Sequence, residues 1–270
     1  MPGRARGAVV EFQLQLRVGA EVVDARGEVL DAPVTLRALL PVLHGLSGSI
    51  LGSLSRQAAA QGREITCGAG CGACCRQPVP VGEDEARALA LLVDQMPRAR
   101  RDAVRARFDA ALSRLESAGL LEQVRAFPSL ESSEERSRVG REYFRLGIPC
   151  PFLEQEACSI HPARPLSCRE YLVTSPAAAC ATLDSARIAR LEVPRRLSNV
   201  LFRMGDGRGD QPPRWMALVL ALEAAPALRR VPEPRYPSRE LLGAVVRHLR
   251  APGAPDDVLA PTASPGSDPG

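Results

Sequence analysis

Two groups of cysteines constrain this chain more than anything else in it. The first reads Cys67-Gly-Ala-Gly-Cys71-Gly-Ala-Cys74-Cys75, and the second is spread over Cys150-Pro151-Phe152-Leu153, Cys158-Ser159-Ile160-His161 and Arg164-Pro165-Leu166-Ser167-Cys168-Arg169. Seven of the eight cysteines fall in these groups. Small buried hydrophobes do not crowd four to a nine-residue stretch, whereas soft thiolates suit zinc and iron–sulfur clusters and disfavour magnesium or calcium. The spacing i, i+4, i+7, i+8 would share one helical stripe, but Gly68, Gly70 and Gly72 are poor helix residues. A Gly-rich loop is therefore expected, with a helix beginning near Cys71 and main-chain amides close to the sulfurs. Neighbouring Cys74 and Cys75 do not easily reach one tetrahedral ion together, so either one of them packs or the two serve different metals.

Seven thiols exceed the need of one four-ligand site, and the second group would complete the coordination. Bringing Cys75 to Cys150 costs on the order of 4 kcal/mol of loop entropy. A structural thiolate–metal site returns roughly 10–16 kcal/mol. The two segments can therefore be clipped by one site, with Cys67, Cys71, Cys74, Cys75, Cys150, Cys158 and Cys168 as metal ligands. Cys180 stands outside both groups and reads as a packed residue. His161 has a ligand-like spacing from Cys158, but as the residue before Pro162 it reads as a turn residue. His44 and His248 sit on helices as surface or core residues. Arg76, Arg164 and Arg169 flank the thiols; Arg164 and Arg169, inside the second group, would neutralise a thiolate-rich site, whereas Arg76 reads as a surface arginine.

Composition limits the remaining chemistry. The chain has 270 residues, 45% of them hydrophobic, enough for a substantial core. Every Lys/Arg position is arginine, which fits a GC-rich, bacterial genome and removes lysine nucleophiles and Schiff bases. The formal charge is +4. The densest basic stretch, Pro97 to Arg107, reads as a solvated helix face with i,i+4 pairs, and aromatics at 4% offer no stacking platform. Nucleic acid is not an expected partner. The N-terminus lacks a signal-peptide run and Trp215 to Leu222 is too short to span a bilayer, so no membrane partner and a cytoplasmic location are expected. Clustered cysteines in a reducing compartment bind metal or act in catalysis more often than they bridge.

The fold class expected is mainly α, with a small N-terminal antiparallel β element and irregular Gly/Pro-rich cysteine loops clipped by a metal site. Val10 to Val18 alternates as a half-buried strand, and Glu21–Asp24 and Glu28–Leu30 read as one or two more short strands. Thr35 caps a helix over Leu36 to Ala60, which Pro41 either kinks or truly starts, and Gly62 ends it. Helices follow at Glu83–Gln95 with an acidic first turn, at Pro97–Ala118, briefly at Leu120–Phe127, and from the Ser132 capping box to Leu146. Pro194–Met204, Arg214–Ala224 and a helix capped by Ser238 and ending at Arg250 complete the set. Four regions are expected: 1–62, the ribbon and long helix; 63–180, the cysteine module; 181–250, helices packed on it; and 251–270, a disordered tail.

The cysteine motifs resemble the YkgJ-type cysteine-cluster family, a zinc- or iron-chelating domain of CxxCxxCC type. The resemblance runs from about Thr66 to Tyr171 through Cys67–Cys75, Cys150-Pro151-Phe152-Leu153, Cys158-Ser159-Ile160-His161 and Arg164-Pro165-Leu166-Ser167-Cys168-Arg169. Two departures stand out. The first spacing is Cys-x3-Cys, where Cys-x2-Cys is usual, and His161 replaces a common tyrosine. The resemblance implies metal or iron–sulfur binding, and flagellin lysine-methylase relatives add an iron–sulfur-dependent methyltransferase as an alternative. Cys67-x3-Cys71-x2-Cys74 is also similar to the cluster motif of radical S-adenosylmethionine enzymes, whose β/α barrel the helical pattern after Cys75 does not match. A zinc-stapled protein-interaction module is the third reading. Iron–sulfur stands ahead of zinc, because the thiols are many and Gly-rich backbone surrounds them.

Overall fold

A computed structural model describes residues 8–130, 132–182, 185–204 and 214–250. Strands β1 (Val9–Val18) and β2 (Glu21–Leu30) form one antiparallel hairpin, with Val9 opposite Leu30 and Val18 opposite Glu21. Its two-residue turn opens on Gly19 at φ +58, where a side chain would be strained. Val10, Leu14 and Val18 are buried while Glu11, Gln13, Gln15 and Arg17 are exposed, as the alternation requires. Of the one or two short strands expected after Gly19, a single ten-residue strand forms. Gly27 does not break it, because the space a Cβ would take is filled by the Phe12 ring across the pair.

The hairpin lies on α1 (Leu40–Ala60), which presents Leu43, Leu46, Ile50 and Leu54 to the core. A 3-10 turn at Leu36–Leu39 precedes it, opened by Thr35 Oγ1 accepting from the Ala38 N–H at 3.3 Å. Pro41 thus marks the start of the α-helix, where its missing N–H costs nothing. Leu36–Ala60 is long and apolar enough, by length and composition, to cross a membrane. Its leucines here form the central core helix. Strand β3 (Pro33–Val34) pairs with β8 (Tyr236–Pro237) and so ties this layer to the C-terminal helix.

Beyond the first cysteine group come β4 (Pro80–Gly82), α2 (Glu83–Asp94), α3 (Arg98–Ser117), α4 (Leu121–Arg125) and α5 (Ser133–Arg145). Ser132 Oγ accepts from the Glu135 N–H at 3.0 Å, the cap expected for α5. Ser132→Ala is expected to cost about 1 kcal/mol, read as a shift in the urea midpoint with an unchanged slope. The arginines of α3 have partners. Arg98 meets Asp102, Arg105 meets Asp94 at 2.8 Å, Arg107 meets Glu154 at 2.7 Å, and Arg100 donates to the Ser159 carbonyl at 3.0 Å.

The second cysteine group contains the hairpin β5 (Leu153–Glu154) and β6 (Ala157–Cys158) and then α6 (Leu166–Glu170). Next are α7 (Leu197–Arg203), β7 (Trp215–Ala217), α8 (Ala221–Arg230) and α9 (Ser238–Arg250). The continuous helix expected over Arg214–Ala224 is not formed. Trp215–Ala217 pairs antiparallel with β4, a 3-10 turn covers Leu218–Leu220, and helix begins only at Ala221. Burial overrides propensity here. Trp215 packs edge-on to Phe127 at 5.5 Å and stacks on Phe202 at 6.2 Å, and the Leu218 N–H reaches the Val79 carbonyl at 2.7 Å. The tail 251–270, expected to be disordered, lies outside the described residues.

Among the described residues, three apolar cores result. One joins the hairpin and α1 to Leu166, α7 and α9; one surrounds Phe127, Tyr143 and Trp215. The third gathers Val81, Leu89, Val104, Phe108, Phe152 and Ile160, and the half-buried Cys150 and Cys158 pack against it. The thiols therefore sit at the edge of an assembled core.

Candidate metal centre

The first cysteine group is an irregular loop stitched down at both ends. Its entry pairs with the segment after α6. The Thr66 N–H donates to the Val173 carbonyl at 3.0 Å, and the Val173 N–H donates back to Cys67 Sγ at 3.3 Å. Gly70 at φ +88 turns the chain. No α-helix starts near Cys71; a 3-10 turn spans only Cys74–Arg76, because three glycines in five residues deny an α-helix its nucleus. Its exit meets the second group directly, through the Cys150 N–H donating to the Cys75 carbonyl at 2.7 Å.

Two buried carboxylates position the second group. Glu85, 2% exposed, accepts from Gly82 N–H at 3.0 Å, capping its own helix, and from Leu166 N–H at 2.7 Å, capping the helix that carries Cys168. Glu170, 3% exposed, accepts from Leu197 N–H at 2.7 Å, Ser198 N–H at 3.2 Å and Ser198 Oγ at 2.5 Å, which anchors α7. Burial raises both carboxyls to about 7. Sequence reasoning took the acidic start of α2 as dipole complement only; nothing in the local pattern marks Glu85 as a tie to Leu166.

Cys74 is the thiol whose electrostatic influence reaches both cysteine groups. Interaction with the neighbouring Cys75 thiol, together with burial, raises its titration point strongly. Cys74 lies within electrostatic reach of Cys67, of Cys150, Cys158 and Cys168, and of Cys180. Cys71 is within reach of Cys67 and Cys180. The two cysteine groups thus converge on one region. Residues 66–186 match the CxxCxxCC family model, described as a putative zinc- or iron-chelating domain. This segment is similar to that domain. Comparison with curated proteins and with solved structures gives no significant match. The matched segment is somewhat under half of the chain and extends past Cys180, so all eight thiols lie within it.

Cys180 is the thiol that sequence reasoning set apart. It is buried, as a packed residue would be, yet it lies within reach of Cys67, Cys71 and Cys74. The only signal for it in the chain was the count of eight, twice the need of a four-thiolate site. His161 is exposed in a 3-10 turn opened with Pro162, as its place before proline suggested. His44 is half-buried on α1 and lowered to about 4 by burial and by Arg169. His248 is half-buried on α9.

The chemistry of the domain fits a thiophilic metal. All eight cysteines are free thiols. Burial raises Cys67, Cys158 and Cys180, pushes Cys150 up to about 12 and lifts Cys168 well above the ordinary thiol range. A thiol so placed keeps its proton until a cation replaces it. Arg164 lies near Cys67, Cys74 and Cys158, and Arg169 near Cys168 and Cys158. Arg164 Nε and Ser167 Oγ are buried without hydrogen-bond partners, two donors in the segment that carries Cys158 and Cys168. Such donors suit sulfurs that have lost their protons. Among the described residues no three His, Cys, Asp or Glu side chains already stand in ligating geometry. The thiols are gathered but not closed around a point.

Proposed function

We propose that the CxxCxxCC domain holds a metal or cluster through thiolates from both cysteine groups, with Cys67, Cys71, Cys74, Cys75, Cys150, Cys158 and Cys168 as ligands. The observation that carries this reading is the 2.7 Å bond from the Cys150 N–H to the Cys75 carbonyl, which joins the two groups and leaves Cys74 within electrostatic reach of Cys150 and Cys168. Within it, an iron–sulfur cluster stands ahead of zinc, supported by the number of thiols and by the amide aimed at Cys67 Sγ. Thiols that must stay reduced to bind metal support a reducing compartment, the cytoplasm.

Anaerobic purification followed by metal and sulfide analysis tests the reading. A brown protein containing iron and acid-labile sulfide is the expected result. A colourless protein with stoichiometric zinc would select the second reading, a zinc-stapled interaction module. The observation favouring that module is the scarcity of regular structure around the thiols, which a structural zinc would hold together. A preparation with neither metal, made under reductant and without chelator, would remove both. The methyltransferase alternative shares the cluster and needs a substrate assay. The radical S-adenosylmethionine alternative needs a parallel β/α barrel, and the strand pairs among the described residues are two-stranded and antiparallel.

A further inference from the structure

The turn joining β5 to β6 has two non-glycine residues in the left-handed region, Gln155 at φ +51 and Glu156 at φ +56. Two-residue turns of this kind ordinarily take Asn and Gly, so neither residue selects the conformation on its own. It is held from outside. Arg76, at the end of the first cysteine group, forks both oxygens of Glu156, at 2.9 Å to Oε2 and 2.6 Å to Oε1, and its Nη1 also reaches the Gly72 carbonyl at 2.8 Å. Gly72 has no room for a Cβ, because Glu156 Oε2 lies in that space. On the other side, Arg107 holds Glu154 at 2.7 Å. The roots of the hairpin, Phe152 and Ile160, are buried in the third core, whereas its tip is exposed. An open cleft of about 580 Å³, lined by Arg107, Leu153, Glu154, Ala157, Cys158 and Ser159, leads from solvent to Cys158.

We propose that residues 153–158 form a strap over the thiol cluster, latched by the Arg76–Glu156 fork, and that the latch sets how readily solutes reach Cys158. If the proposed function is correct, those solutes include the metal. A turn with no conformational preference for its bent state opens once its external tie is cut, and the buried roots confine the movement to the tip. The fork joins the first cysteine group to the second, so the latch also holds Cys158 against the loop that carries Cys74.

Iodoacetamide labelling of the full-length, metal-free protein, resolved by cysteine with mass spectrometry, tests the strap without reference to metal. In Glu156→Gln, and independently in Gly72→Ala, which displaces the carboxylate by size alone, Cys158 is expected to react about fivefold faster, the scale of one partly exposed ion pair. Buried Cys180 should keep its rate. Raising ionic strength should speed Cys158 in the wild type and leave Glu156→Gln unchanged. An unchanged Cys158 rate in both variants, or an equal rise at Cys180, would overturn the strap. Transfer of zinc from the loaded protein to a chromophoric chelator should accelerate by the same factor. A wild type that takes up no zinc while its variants still label faster would leave the strap standing and remove the metal reading.

Discussion

Cys168→Ser is expected to lose at least half of the bound metal and to melt roughly 10 °C lower than the wild type. Cys168 stands on a five-residue helix that is too short to persist alone and is pinned at its first residue by Glu85. Ligation would tie that helix to Cys74 and Cys150, which lie far away in the chain but within reach of its thiol. Removing one thiolate forfeits the shared site, at about 4 kcal/mol or more, well beyond an ordinary substitution. Cys71→Ser should behave alike from the other group. Cys180→Ser is expected to affect melting less; if it also lowers metal content, Cys180 joins the ligand set. Calorimetry of the wild type with and without a chelator completes the test. Equal melting temperatures for the two forms would mean that the site does not clip the fold.

Glu170→Ala should be nearly as damaging, at about 3–5 kcal/mol by chemical denaturation, because it strands two N–H groups and a hydroxyl at the buried start of α7. Glu85 adds a dependence on pH. Burial raises its folded value from 4.5 to about 7, so the folded protein holds the proton more tightly than the unfolded chain does. The resulting stabilisation, about 3 kcal/mol, is fully present below pH 4.5 and is lost as pH rises toward 7. Glu170 contributes in the same direction over the same range. Denaturation of metal-free protein across this range should show stability falling with pH, and Glu85→Gln should remove about half of the slope. A flat profile in the wild type would show that the amide hydrogen bonds to both carboxylates outweigh their burial.

Much of the architecture was readable locally. The alternation of Val10 to Val18, the caps at Thr35 and Ser132, and the stop at Gly62 report short-range sterics and hydrogen bonding, and each appears where the pattern put it. The reading failed at Trp215–Ala217, whose helix-forming neighbours gave no sign of a partner strand at Pro80–Gly82. Likewise, whether one strand or two follow Gly19 stayed open until the Phe12 ring was found filling the space opposite Gly27.

The sequence by itself determined the donor chemistry. Clustered thiols suit a soft cation whatever the fold, because ligand softness belongs to the side chain, and residues 66–186 match a family described as zinc- or iron-chelating. Only the tertiary structure decided which thiols share space. Cys74 lies within electrostatic reach of Cys168 and Cys180, Glu85 reaches Leu166, and Arg76 latches Glu156, through the approach of residues distant in the chain. Periodicity and capping act over a few residues, whereas these contacts depend on how the helices between the cysteine groups pack, and that is set by the core as a whole.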